Sequence, residues 1–471
     1  MKKFFSIFQN KKSKIDIELL KAYNNTREKD ARKYICHLPF TQMYITFGGD
    51  VLVCCGNRKF LLGKFPETSL MDIWFGDKYK ELRKYIAEND LTHGCDICEQ
   101  PIKNETYNLV LAKEYDRLAS STLKLPVMME FELSNTCNLD CIMCFDEFSS
   151  TVARRHGNVI NTREEVFDEN FLNQLDDFIP NLIEASFKGG EPFLIKIYHR
   201  IWEKIIAKKP DTLIRLVTNI TTLNDNIKSY LEQGNFYLNI SIDSLQKENY
   251  ESIRRNANYK QTMENLQYLL EWNRRKGNHH ITLMVCLLNV NWKEIPDMIN
   301  LCNDNEISIL FLYISFPALH LSLKYAGPKN LTYIYNYLSV VSFEEKNLYC
   351  VNNLDMYKNL LTQLEVWKNE AEKKDYFELY KDYRLSINSF LSEFLSDKVN
   401  KDNIENEIAK FLENLNMILN SFKDSEYEEI IRKLIEYPVE KTSLALFQNK
   451  EQDLIVEVVN NYNNLLAENI L

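Results

Sequence analysis

The sequence predicts an α/β protein: a partial (β/α)6 TIM-like barrel with a small N-terminal α+β domain before it and a helical C-terminal extension after it. Three observations lead there. From about Leu125, short apolar runs alternate with amphipathic stretches, the rhythm of right-handed crossovers on a parallel sheet. Before that point the chain has a hairpin-like segment, a helix and paired cysteines rather than βα units. After about Leu331 the strand signal fades into helical stripes. The expected division is 1–115, 116–330 and 331–471.

In the first segment, QMYITFGGDVLVCC reads as two strands broken at Gly48–Gly49, a hairpin. SLMDIWFGDKYKELRKYIAEND then has apolar residues at helical spacing and runs into the HGCDICEQP loop. In the second segment, VMMEFEL, LIEASFK, LIRLVTN, FYLNISID, ITLMVCLLNV and ISILFLYISF are the six expected strands. Helical stretches such as DENFLNQLDDFI, IYHRIWEKIIAKK and YKQTMENLQYLLEWNRRK lie between them. In the third, Ile408, Phe411, Leu412, Leu415, Ile418, Leu419 and Phe422 fall on one helical stripe. That stripe fits a helix-bundle cap or, more specifically, a substrate-recognition module.

Composition narrows the function classes. The 471 residues are 45% hydrophobic and 12% aromatic, a folded globular composition. Lys and Arg number 57 against 67 Asp and Glu, a net charge of −10, so no overall field draws the chain to nucleic acid or to an anionic membrane. The apolar run in MKKFFSIFQNKKSK is too short for a signal-peptide core, and no stretch approaches the ~20 apolar residues of a membrane span. The expected location is the cytoplasm. In a reducing compartment, 11 cysteines in uneven clusters point to metal or redox chemistry rather than disulfides. Cys286, Cys302 and Cys350 stand apart in apolar surroundings and read as buried structural thiols.

The densest cluster is SNTCNLDCIMCFDE, where Cys137, Cys141 and Cys144 have the spacing C-x3-C-x2-C directly after the first expected barrel strand. Chemistry in such barrels collects where strands end. A structural zinc site takes four side-chain ligands, whereas a [4Fe–4S] cubane held by three thiolates keeps one iron open. This spacing resembles the signature of the radical S-adenosylmethionine (SAM) superfamily. KGGEPF, with Gly189, Gly190, Glu191 and Pro192, resembles that family's GGEP motif at the end of the second strand. LVTN ends the third strand at Asn219, and NISIDS ends the fourth with Ser241 and Asp243.

The resemblance implies that Cys137, Cys141 and Cys144 hold a [4Fe–4S] cluster with SAM as the ligand of the open iron. It implies that the GGEP turn, with Glu191 beside it, accepts hydrogen bonds from the SAM ammonium. It further implies that Ser241 and Asp243 meet the ribose or carboxylate and that Arg254 pairs with the carboxylate. Met143 stands where the family usually has an aromatic residue, so its thioether would pack on the adenine. The family's fifth-strand pattern is not clearly present, and Asn289 is the candidate there.

Cys36, Gly49 and Cys54 are spaced C-x12-G-x4-C and are followed by C-x2-C at Cys95 and Cys98. This resembles the SPASM auxiliary-cluster domain, or its one-cluster twitch form, placed here before the barrel instead of after it. The resemblance implies a second, auxiliary [4Fe–4S] cluster on Cys36, Cys54, Cys95 and Cys98. Cys55 competes with Cys54 for the ligand role, and a four-cysteine zinc site is the competing metal.

For function, the resemblance implies reductive cleavage of SAM to methionine and a 5′-deoxyadenosyl radical that abstracts hydrogen from a substrate. Catalysis would centre on Cys137, Cys141 and Cys144. The expected substrate is a peptide or protein, undergoing oxidation, crosslinking or epimerisation. The alternative is a sugar or small metabolite, and a non-catalytic metal-binding scaffold is the alternative of another class. The implied electron donor is a flavodoxin or ferredoxin, and no nucleic-acid partner is expected. Epimerisation would need a hydrogen donor, for which Cys286, Cys302 or Cys350 are the thiols available.

Overall fold

A computed structural model describes residues 14–119, 124–277, 279–314, 318–395, 401–420, 424–435 and 439–448, with 450, 453–455 and 458. The N-terminal run Phe4–Phe8 and Phe422 lie outside the described residues. The strands in chain order are β1 (Gln42–Thr46), β2 (Asp50–Leu52), β3 (Gly63–Lys64), β4 (Met128–Glu132), β5 (Asp140–Cys141), β6 (Glu184–Phe187), β7 (Leu213–Thr218), β8 (Asn235–Ser241), β9 (Arg254–Arg255), β10 (Ile281–Leu287) and β11 (Ser308–Tyr313). The six expected barrel strands are present as β4, β6, β7, β8, β10 and β11. The fold is α/β with a mostly parallel sheet, consistent with a partial TIM-like barrel and a helical C-terminal region.

The chain forms two compact units. The first combines residues 1–136, 161–218 and 223–237. In it β7, β6 and β4 pair in parallel, and β1 adds to the other edge of β4, also in parallel, from Gln42 opposite Met128 to Thr46 opposite Glu132. The N-terminal hairpin is therefore built into the barrel sheet. Gly49 makes its turn possible: at φ +82°, a Cβ there would lie 1.9 Å from the Phe65 carbonyl oxygen. The helix expected over SLMDIWFGDKYKELRKYIAEND divides into Leu70–Phe75 and Asp77–Ala87, because Gly76 is extended between them.

The two faces of this sheet differ. Phe131 and Phe187 stack at 4.9 Å, and Phe187 packs on Tyr198 and Trp202 of the helix Lys196–Lys208. Alternate residues on the opposite face are polar: Gln42 and Tyr44 on β1, Glu130 and Glu132 on β4. These carboxylates are buried but paired. Glu132 accepts from Tyr44 Oη and Arg58 Nη2, and Glu130 meets Lys188 and accepts from Gln42 Nε2.

The second unit combines residues 137–160, 219–222 and 238–471. Its sheet has β8, β10 and β11 in parallel, and β5 and β9 form a separate antiparallel pair. Long helices follow, including Leu348–Lys373, Tyr376–Phe394 and Lys401–Leu419. The predicted stripe is reproduced where it is described, with Ile408, Leu412, Leu415 and Leu419 all buried.

Candidate cluster sites and SAM-motif residues

In the second unit, the three-cysteine segment is held by short-range hydrogen bonds. Ser149 caps the helix Ser150–Arg155 by accepting from Val152 N and donates to the Leu139 carbonyl. The Cys137 amide donates to Ser150 Oγ at 3.1 Å, and Thr151 Oγ1 donates to the Cys137 carbonyl at 2.6 Å. Cys141 is paired with Arg254 across the β5–β9 ladder, and Cys144 N donates to Cys141 O at 3.1 Å. Two side-chain N–H groups are directed at sulfur: Arg254 Nη1 lies 3.9 Å from Cys141 Sγ and Asn219 Nδ2 lies 4.0 Å from Cys137 Sγ.

Burial dominates the electrostatics of these thiols. Burial, followed by the Cys137 thiol, pushes Cys144 up to about 12, and burial pushes Cys141 up as well, against the pull of Arg254. Thiols packed this way stay protonated unless a cation takes the place of the proton, so loading the site releases protons.

Arg254 and Asp243, each expected to meet SAM, are paired with one another. Arg254 Nη2 is 2.7 Å from Asp243 Oδ2, and the other Asp243 oxygen accepts from the Cys286 amide at 2.7 Å. Burial raises the Asp243 carboxyl and acts downward on Arg254, but Asp243 and Cys141 together carry the guanidinium upward. Ser241 is half-buried opposite Met284. Met143 packs with Ile142, Cys286 and Ile314 against buried Ile253, Leu288, Ala318 and Leu321, an apolar surface suited to one face of a flat ring. Asn289 donates to the His320 carbonyl and keeps a buried Oδ1 with no partner among the described residues. Cys286 has its amide on Asp243, while Cys302 and Cys350 are fully buried.

The GGEP turn belongs to the first unit. Gly189 and Gly190 have φ of +83° and +50°, and a Cβ on Gly190 would lie 2.1 Å from the Thr136 carbonyl. Glu191 N donates to that carbonyl at 2.8 Å. The Glu191 side chain is buried and accepts from Phe193 N and Thr218 Oγ1, so it shapes the turn that Pro192 opens. Tyr198, which sequence reasoning missed, accepts from Leu133 N and donates to Lys188 O, tying the ends of β4 and β6 together.

Cys36, Cys54, Cys95 and Cys98 also lie in the first unit, and Cys55 acts on Cys54 and Cys98 among them. Burial comes first in raising all four, and Cys36 is raised further by Cys98, Cys54 and Cys95. Cys95 is pushed to about 12 and Cys98 to about 11. Asn57, fully buried, donates to Cys95 Sγ at 3.3 Å and to the His93 carbonyl, a sulfur contact absent from the predicted set. Cys55 is raised by burial and, unlike the other four, is next acted on by charged groups of the polar sheet face, Lys188, Glu130, Arg58 and Glu132. Among the described residues, no three His, Cys, Asp or Glu side chains are arranged to hold one metal ion. A cubane asks for a wider spacing, since each thiolate binds a different iron. Both sets have the thiol donor chemistry of such a group.

A family model described as "Radical SAM superfamily" matches residues 131–302, and one described as "Iron-sulfur cluster-binding domain", SPASM, matches residues 36–99. The chain carries a radical SAM domain with a SPASM domain before it. The cofactors of such a protein are SAM, the [4Fe–4S] cluster that binds it and auxiliary iron–sulfur. Curated relatives include GTP 3′,8-cyclases from Clostridium botulinum, 23% identical over 39% of this chain and 55% of the relative, and from Alkaliphilus metalliredigens, 26% identical with the same coverage. The chain spans about half the length of these relatives. Among solved structures, anSMEcpe with bound AdoMet matches at 16% identity and TM-score 0.33, covering 45% of this chain and 58% of that one. Streptococcus suis SuiB bound to S-adenosylmethionine matches at 14% identity and TM-score 0.34, covering 56% and 58%.

Proposed function

We propose that this radical SAM protein is an enzyme that reductively cleaves SAM and abstracts hydrogen from a peptide or protein. The observation that supports it best is the gathering of Cys137, Cys141 and Cys144 with two N–H donors, from Asn219 and Arg254, directed at their sulfurs. When bound, the cluster and SAM supply the electron and the hydrogen-abstracting 5′-deoxyadenosyl group. The three thiolates hold that cluster. Asn219 and Arg254 withdraw charge from sulfur and thereby ease reduction. Met143, Leu288 and Leu321 exclude water from one side of the three-cysteine loop. Cys36, Cys54, Cys95 and Cys98 hold the auxiliary cluster, with Asn57 donating to one of them. The remaining SAM contacts, the division into 1–115, 116–330 and 331–471, a cytoplasmic location and a flavodoxin or ferredoxin donor belong to the same reading.

The peptide substrate follows from the SPASM resemblance. A small-molecule substrate is the second reading, favoured by relatives named as GTP 3′,8-cyclases. The test is anaerobic reconstitution followed by an assay of 5′-deoxyadenosine from SAM and dithionite, with short peptides encoded beside the gene or with GTP. A peptide that gains mass in a SAM-dependent way supports the first substrate class, and GTP consumption supports the second. Iron binding with no SAM cleavage under either condition returns the chain to a metal-binding scaffold.

A further inference from the structure

We propose that Glu393, in the helix Tyr376–Phe394, is a positioning residue for the three-cysteine loop, so that the helical extension helps to hold the cluster thiols. The inference rests on the proposed function only for what the loop carries. The β5–β9 ladder that contains Cys141 has only two residue pairs, Asp140 with Arg255 and Cys141 with Arg254. A ladder this short does not persist by its own hydrogen bonds and depends on side-chain support.

Glu393 supplies that support to both strands. One carboxylate oxygen lies 3.5 Å from Arg255 Nη1, on β9, and 3.8 Å from Arg155 Nη2. Arg155 Nε is in turn 2.8 Å from Asp140 Oδ1, next to Cys141 on β5. The other Glu393 oxygen lies 3.5 Å from His320 Nε2. His320 also meets the same helix one turn earlier, through Ser389 Oγ at 3.1 Å and the edge of the Phe390 ring. Glu393 thus bears on the loop through Arg155 and Arg255, and Ser389 and Phe390 hold the His320 ring beside it. Without the carboxylate, Arg155 and Arg255 lose the counter-charge they share, and like charges in a partly buried site repel.

Amide hydrogen exchange on the full-length protein before cluster loading tests this directly. Glu393→Gln is expected to speed exchange in residues 137–156 and 253–256 about five- to tenfold while leaving 36–57 unchanged, and Glu393→Asp to restore most of the protection. Arg255→Gln should loosen the same segments from the other side. Asp382→Asn, which breaks an ion pair with Lys374 elsewhere on the helix, should not. After reconstitution, the electron paramagnetic resonance signal of the three-cysteine cluster should change in Glu393→Gln while the auxiliary signal stays as in the wild type. Unchanged exchange in Glu393→Gln, or equal loosening by Asp382→Asn, overturns the proposal. A wild-type protein that takes up no cluster on Cys137, Cys141 and Cys144 overturns the proposed function instead, and the exchange result stands apart from it.

Discussion

Arg254 and Asp243 form a buried ion pair, with side chains 9% and 0% exposed and a separation of 2.7 Å, and the same guanidinium reaches the Cys141 sulfur at 3.9 Å. A carboxylate thus fixes the orientation of a cation that acts on Cys141. The pair links the end of β8 to the ladder beside the three-cysteine loop.

Asp243→Asn leaves the guanidinium in a dry site without its counter-charge. The expected cost is about 3–5 kcal/mol in urea unfolding, and the double variant Asp243→Asn with Arg254→Met should cost less than the two single changes added together. Strict additivity would mean that the two side chains do not depend on each other.

The two adjacent cysteines after β2 have different surroundings, so they should behave differently. Wild-type protein reconstituted anaerobically should carry about eight irons, and Cys54→Ala about four. Cys55→Ala should keep the full count. Iron loss on changing Cys55 and not Cys54 would reverse the ligand assignment.

Gly157 and Gly190 both have positive φ, but only Gly190 faces backbone where a Cβ would be, the Thr136 carbonyl at 2.1 Å. Gly157→Ala should therefore cost only the conformational strain, about 1–2 kcal/mol. Gly190→Ala should cost about 2 kcal/mol more in thermal or denaturant unfolding and weaken SAM binding, measured by equilibrium dialysis. Equal costs at the two sites would mean that the turn can shift away from Thr136.

Burial, with Arg255 acting in the same direction, lowers His320 to about 4 from 6.5. The nearby Glu393 carboxylate favours the imidazolium, but Arg155 and Arg255 already neutralise that carboxylate, so burial prevails. Above about pH 6.5 the ring is neutral in both folded and unfolded chains. As pH falls from there towards 4, the unfolded chain takes up a proton that the folded chain refuses, and stability drops by up to about 3 kcal/mol. His320→Gln should flatten that part of a stability–pH curve measured by denaturant titration.

The sequence by itself determined the local features of this protein. The apolar runs that form β4, β6, β7, β8, β10 and β11, the C-x3-C-x2-C loop and the separate Cys36, Cys54, Cys95 and Cys98 set all depend on residues near one another in the chain, or on a recognised spacing. Backbone period and ligand reach operate at that range. Tertiary structure alone decided the rest: β1 adds to β4, Arg254 turns to Asp243, Glu191 shapes its own turn, and Glu393 reaches the loop of Cys141 from the helical extension. Each of these joins residues far apart in sequence or depends on which atoms burial leaves without water, and neither register nor desolvation is written in local pattern.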